Sequence, residues 1–209
     1  MIEAVIFDLF GTLVEIQNRQ NPYKQLLRLG TQQGRVASPA DMRWIMTQAG
    51  GIREAGDGLG IKLTAAQLSE LQEALDRELE SIRPFDDALP AIELLRERKI
   101  KVAICSNLAG PYCSLARVRF PNLEGYALSA ELGVMKPDPA IYRSACAMMG
   151  VVPGTAFETD AARVLMIGDS KKCDEVGPRS CGIFGHHLDR KGAGGFANLL
   201  SFSRAITNQ

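Results

Sequence analysis

A parallel α/β sheet interrupted by a helical insert is the architecture this sequence predicts, and three observations predict it. The runs AVIF (4–7), KVAIC (101–105) and RVLMI (163–167) are apolar on successive residues and carry β-branched side chains, the pattern of strands buried on both faces. Helical patterns lie between the later runs, and strands alternating with helices build parallel sheets. The alternation fails only between about residues 15 and 84, which hold helical patterns and no strand candidate.

Each element has a local reason. DDALPAIELLRERK (86–99) starts acidic and ends basic, matching the helix dipole. PDPAIYRSACAMMG (137–150) opens on proline and stops at Gly150. YALSA (126–130) and CGIFG (181–185) are weaker strand candidates. In the insert, Leu68, Leu71, Leu75 and Leu79 recur at helical spacing over 64–80, and Thr64 with Gln67 forms a capping box. PYKQLLRLG (22–30) and SPADMRWIMTQAG (38–50) also read as helices, while GIREAGDGLG (51–60), with four glycines, reads as flexible. The expected division is a core of residues 1–14 and 85–209 and a helical insert of 15–84.

Composition narrows the function. At 209 residues and 46% hydrophobic, the chain suits one domain carrying an insertion. Lys+Arg and Asp+Glu balance at 24 each, so nothing draws the whole chain toward nucleic acid or an anionic membrane. No apolar run approaches the ~20 residues of a membrane helix, and MIEAVIFD has no basic leader region. Five dispersed cysteines without a CxxC pair suit reduced thiols in a cytoplasmic protein. A small-molecule ligand at a local site is the expectation that follows. Nothing in the sequence indicates an oligomeric state.

The strong strand runs all end in polar residues. The first ends in Asp8 and Thr12, the second in Ser106 and Asn107, the last in Gly168 and Asp169 followed by Asp174. Ligands bind at the carboxyl ends of parallel strands, so these groups should converge. Three neighbouring carboxylates, Asp8, Asp169 and Asp174, repel one another unless one takes a proton or a cation binds. Hard oxygen donors suit Mg²⁺. Lys136 would offset the charge and orient Asp8, and Ser106 and Asn107 would donate to an anion.

In this order DLFGT, CSN, KPDP and GDSKKCD resemble the four motifs of the haloacid dehalogenase superfamily, and the insert falls where that family carries a helical cap. The resemblance implies a Rossmann-like core with a cap inserted after the first strand. It implies that Asp8 is the nucleophile of a covalent aspartyl intermediate. Thr12 and Ser106 would bind the transferred group, and Lys136 would steady it. Mg²⁺ would be held by Asp8, Asp169, Asp174 and the backbone carbonyl of Phe10.

Phe10 departs from the pattern. Phosphatases of this family carry a second Asp there, which protonates the leaving group and activates water. Family dehalogenases carry an aromatic there, because a halide leaves without a proton, but they also lose the acidic metal ligand that GDSKKCD retains. The charge of the whole site outweighs one side chain. The expected function is therefore a Mg²⁺-dependent phosphatase of a small phosphorylated metabolite lacking its usual acid/base. The alternatives are a 2-haloacid dehalogenase and a non-catalytic binding member.

Two other patterns compete. Cys113 and Arg119 match the C-x5-R spacing of cysteine phosphatases, but SLARV between them has no glycine to open a phosphate nest. His186 and His187 follow the last strand candidate and could line the rim of the site, yet a lone pair supplies too few ligands for a closed metal centre.

Overall fold

The computed structural model describes residues 2–154, 163–192 and 195–207. Five parallel strands form the sheet: β1 (Ile2–Phe7), β4 (Lys101–Ser106), β5 (Gly125–Leu128), β6 (Arg163–Gly168) and β7 (Phe184–His187), in the order β5-β4-β1-β6-β7. A separate ribbon pairs β2 (Val14–Ile16) with β3 (Ile82–Pro84). Between β2 and β3 run α1 (Pro22–Gln32), α2 (Pro39–Ile45), α3 (Ile52–Gly58) and α4 (Ala65–Glu80). The later helices are α5 (Ala88–Glu97), α6 (Cys113–Arg119), α7 (Ser129–Leu132), α8 (Pro139–Met149) and α9 (Leu199–Thr207). No helix among the described residues is long and apolar enough to cross a membrane.

Strand alternation divides the core into two. Val5 and Phe7 of β1 face one cluster with Leu95 of α5 and Phe202 of α9. Ala4 and Ile6 face the other with Ile141, Tyr142 and Ala145 of α8. The α8 side of the sheet is lined largely by small residues, Ala4, Ala103, Cys105 and Ala127, which lets the helix lie close. Phe7 meets Phe202 edge-on with ring centroids 6.5 Å apart. Each fully buried large apolar side chain of this kind contributes roughly 1.5–3 kcal/mol. Because β1 is buried on both faces and both edges, Asp8 at its end is held in a fixed place.

The strand and helix expectations mostly hold, with shifts set by caps. Thr64 and Gln67 form the expected box at α4. Asp138 caps α8, whose end is Gly150 in the left-handed region, φ 62°. YALSA yields a strand only to Leu128, since Ser129 begins α7. The last strand, Phe184–His187, overlaps only the end of CGIFG, because Cys181 ends a 3₁₀ turn and Gly182 adopts φ 73°. SPADMRWIMTQAG is helical only over Pro39–Ile45.

Three expectations are corrected. The interval was expected to contain no strand, yet β2 and β3 sit at its ends, Val14 opposite Pro84 and Ile16 opposite Ile82. Strands of three residues are too short to show a period, and they pair across the whole insert. GIREAGDGLG is not a flexible loop: residues 52–58 form α3, where Glu54 accepts from Gly51 N–H at 2.8 Å and Ile52 and Ala55 are buried. Gly56 there lies so close to Leu63 that a Cβ would stand 3.2 Å from its methyl. SLARV is not a loop either but part of α6.

Candidate active site

The sheet register sets the site. Phe7 pairs with Ile104 on one side and Ile167 on the other, so the three strands end nearly level and their next polar residues meet. The turn after Asp8 winds around one carbonyl: Leu9 C=O accepts from the N–H groups of Leu13 at 2.8 Å and Val14 at 2.9 Å. Gly11 is needed in that turn. Its φ is +78°, and a Cβ would run into the Asp169 carboxylate. Gly168 is needed too, because a Cβ there would lie 2.7 Å from Cβ of Asp8.

Asp8 is buried and its Oδ1 accepts from Ser106 Oγ at 2.9 Å and Lys136 Nζ at 2.8 Å. The same ammonium donates to Asp174 Oδ1 at 2.6 Å. Asp174 Oδ2 accepts from Ser170 N–H at 2.9 Å. Thr12 Oγ1 reaches Asp8 Oδ2 at 3.4 Å and accepts from Asp169 N–H at 3.2 Å. Asn107 clamps Lys136, its amide donating to Lys136 C=O at 3.0 Å and accepting from Lys136 N–H at 2.7 Å. Both polar atoms of the Asn107 side chain thus bond the backbone of the lysine.

The electrostatics match the crowding. Burial opposes the charge of Lys136, but Asp8 and then Asp174 more than offset it and hold the ammonium above its ordinary pKa. Burial pushes the Asp174 carboxyl up to about 6, against the pull of Lys136 and with added repulsion from Asp8. Asp169 is raised by burial and then by Asp8. Oxygens of Asp8, Asp169 and Asp174 lie within 4.8 Å of one another, with a single ammonium between two of them. The donor set is hard and carries more negative charge than Lys136 neutralises, so it fits a divalent cation such as Mg²⁺.

Phe10 is half-buried and meets Tyr112 edge-on, with centroids 5.7 Å apart and planes at 84°. Both line a cavity of about 270 Å³ between the insert and the sheet edge. His187 Nε2 lies 3.1 Å from Asp169 C=O, whereas His186 packs on Phe196 and Phe202 at 5.7 and 5.4 Å. Cys113 is buried and its thiol is pushed up to about 11 by desolvation, the wrong direction for a nucleophile.

Two residues escaped the sequence reading. Arg190 donates to Thr12 C=O at 2.6 Å and Gly11 C=O at 3.4 Å, forks onto Asp87 at 3.0 and 3.1 Å, and stacks 3.7 Å above Phe85. It braces the loop after Asp8, through partners no local pattern connects. Glu78 is buried, accepting from Gln20 N–H at 2.6 Å, Asn21 N–H at 2.7 Å and Tyr112 Oη at 2.8 Å. That one left a readable signal: it stands on the face of Leu71 and Leu75, a carboxylate in an apolar stripe.

The chain belongs to the haloacid dehalogenase-like hydrolase family, whose model matches residues 2–182. No curated protein matches it in sequence. A HAD phosphatase from Thermococcus onnurineus superposes with a TM-score of 0.66 at 19% identity, covering 98% of both chains. A 2-haloacid dehalogenase from Pseudomonas syringae pv. Tomato DC3000 superposes at 0.68 and 17% identity, covering 100% of this chain and 99% of that one. The L-2-haloacid dehalogenase from Xanthobacter autotrophicus gives 0.65 at 17%, with 100% of both chains covered. At such identities the likeness speaks for the shared fold, and the two activities appear side by side.

Proposed function

We propose that this protein is a Mg²⁺-dependent phosphohydrolase of small metabolites, with the helical insert, residues 15–84, as its cap. One observation carries the reading. Asp8, Asp169 and Asp174 bring oxygens within 4.8 Å of one another, and a cluster that acidic calls for a cation in addition to Lys136. Asp169, Asp174, Asp8 and the Phe10 carbonyl would hold Mg²⁺. The metal would supply charge neutralisation for an incoming phosphoryl group.

The chain's own residues do the rest. Asp8 carboxylate attacks phosphorus, and the bond to the leaving oxygen breaks with its electron pair. Ser106 and Lys136 fix Oδ1 of Asp8, leaving the other oxygen for attack. Thr12 stands beside that oxygen to orient the phosphoryl group. Asn107 positions Lys136. Phe10 has no proton to give, so the leaving group must depart as a stable anion. The aspartyl phosphate then formed is itself an acyl phosphate, and water releases phosphate and a proton while restoring the carboxylate.

The second reading, a metal-independent 2-haloacid dehalogenase, is favoured by the aromatic Phe10 packed on Tyr112. The two separate in one screen of acyl phosphates, p-nitrophenyl phosphate, alkyl phosphates and 2-haloacids, each with Mg²⁺ and with EDTA. The phosphohydrolase reading expects kcat/KM to be far higher for acyl phosphates than for alkyl phosphates, and lost in EDTA. Phe10→Asp should then raise alkyl phosphate hydrolysis ~10-fold or more, short of the ~10²–10⁴ of an evolved general acid, provided circular dichroism shows an intact fold. Turnover of 2-haloacids in EDTA by the wild type would reverse the ranking.

A further inference from the structure

The cavity beside Phe10 differs in character from the ionic cluster beneath it. Phe10, Leu108 and Tyr112 form its wall toward the sheet, and Tyr23, Met42 and Met46 form its wall toward the insert. Phe10 and Leu108 each follow a strand-end residue of the site, Asp8 and Ser106, by two positions, so the cavity opens beside the reacting atoms. At about 270 Å³ it lies at the small end of the ~300–1,000 Å³ of small-molecule pockets.

Its polar groups are Glu78, the amides of Asn21 and Asn107, the hydroxyls of Tyr23 and Tyr112, and two cations, and of these the Tyr23 hydroxyl is buried without a partner. Glu78 carries charge, but its carboxylate is already taken up by Gln20, Asn21 and Tyr112. Arg19 and Lys24 also line the cavity, are exposed, and form no ion pair among the described residues. Beyond the Tyr23 hydroxyl and the cations, such a surface offers a sugar or polyol few free hydrogen-bond partners. Each unmatched hydroxyl placed against it would lose its water partners without replacement. Two free cations at an apolar cavity instead favour an anion with an apolar body.

We infer that the substrate is an apolar-tailed phosphate, above all a short-chain acyl phosphate, whose hydrocarbon tail occupies this cavity while the phosphoryl group lies at Asp8. The inference rests on the phosphohydrolase reading for the reaction and adds the class of leaving group. The step balances without a proton donor: Asp8 forms a bond to phosphorus as the phosphorus–oxygen bond to the acyl group breaks, and the acyl carboxylate departs with the electron pair. Flexible Met42 and Met46 adapt to tails of different shape.

Binding and turnover are tested separately. Calorimetric titration of the full chain in saturating Mg²⁺ with methyl-, butyl- and hexylphosphonate reads the cavity without catalysis. Affinity should rise about fourfold per buried methylene, up to roughly a thousandfold over the five methylenes that separate methyl from hexyl. Met46→Gln should flatten that rise, and Met46→Leu should retain it. In parallel, kcat/KM for acetyl, butanoyl and hexanoyl phosphate should climb with length, because their leaving carboxylates have nearly equal basicity. A flat phosphonate series overturns the inference, even with acetyl phosphate hydrolysed, and then the phosphohydrolase reading stands alone. A rising series without turnover of any acyl phosphate upholds the cavity as the tail site and sinks the reaction assigned to Asp8.

Discussion

The two sides of Asp8 are built by opposite rules. Toward the sheet, charged and polar groups are tied to one another: one ammonium bridges Asp8 and Asp174, and an amide clamps that lysine in turn. Toward the insert, the walls are aromatic and thioether side chains with space between them. In the proposed reaction the lower side fixes which atoms react and the upper side selects what is brought to them. A closed ionic network tolerates little change, whereas an apolar cavity can be resized without disturbing it, so one scaffold can keep its chemistry and exchange its substrate.

Three experiments would break or sharpen this contrast. The largest effect is expected on the ionic side. Lys136→Met leaves two buried carboxylates unpaired and should destabilise the fold by ~3–5 kcal/mol, measured by chemical denaturation without Mg²⁺. A variant as stable as the wild type would mean that the bridge between Asp8 and Asp174 contributes nothing. Next, saturating Mg²⁺ should raise the melting temperature, since a ligand at 100-fold excess over its Kd stabilises by ~2.7 kcal/mol. Asp169→Asn should remove most of that gain. An unmoved melting curve would remove the metal from the lower side and favour the dehalogenase alternative.

The smallest effect is expected in the insert. Asp41 accepts from Ser38 N–H at 2.9 Å and holds a two-pronged pair with Arg35 at 2.6 and 2.7 Å. Asp41→Ala should cost ~1–2 kcal/mol, the range for losing a helix cap, without altering Mg²⁺ binding. Arg35, and then Ser38 N–H, hold the Asp41 carboxyl down at about 2. A lowered folded pKa stabilises above the unfolded value of ~3.9. The difference between wild type and variant should therefore be constant from neutral pH down to that value and fade as pH falls through about 2. A difference that persists below pH 2 would assign the effect to packing.

The same contrast governs what the sequence discloses. The ionic side was legible because three of its strands are apolar runs stopped by polar residues, and three such stops in order, with the KPDP motif between the last two, leave few arrangements. The bonds of Asn107 to the Lys136 backbone were not legible, since a strand-end amide facing a ligand and one facing a neighbouring backbone look alike in sequence. The cavity was not legible. Its walls come from residues scattered between Phe10 and Tyr112, each indistinguishable locally from ordinary core. The ribbon of β2 and β3 was missed because its two halves acquire meaning only once the insert between them has folded. Glycines hid α3: tight packing of Gly56 against Leu63 outweighed their poor helix propensity.

The place of β1 in the sheet also has a consequence for biosynthesis. Val5 pairs with Val102 on one side and with Leu165 on the other. The later partner leaves the ribosome about 160 residues after Val5, a delay of roughly 8–32 s at ~5–20 residues per second. The nearer partner emerges only about 97 residues after Val5, so β1 first lacks both neighbours and then one, while the four helices of the insert have already emerged. The cluster around Asp8 is therefore assembled only when most of the chain has been made.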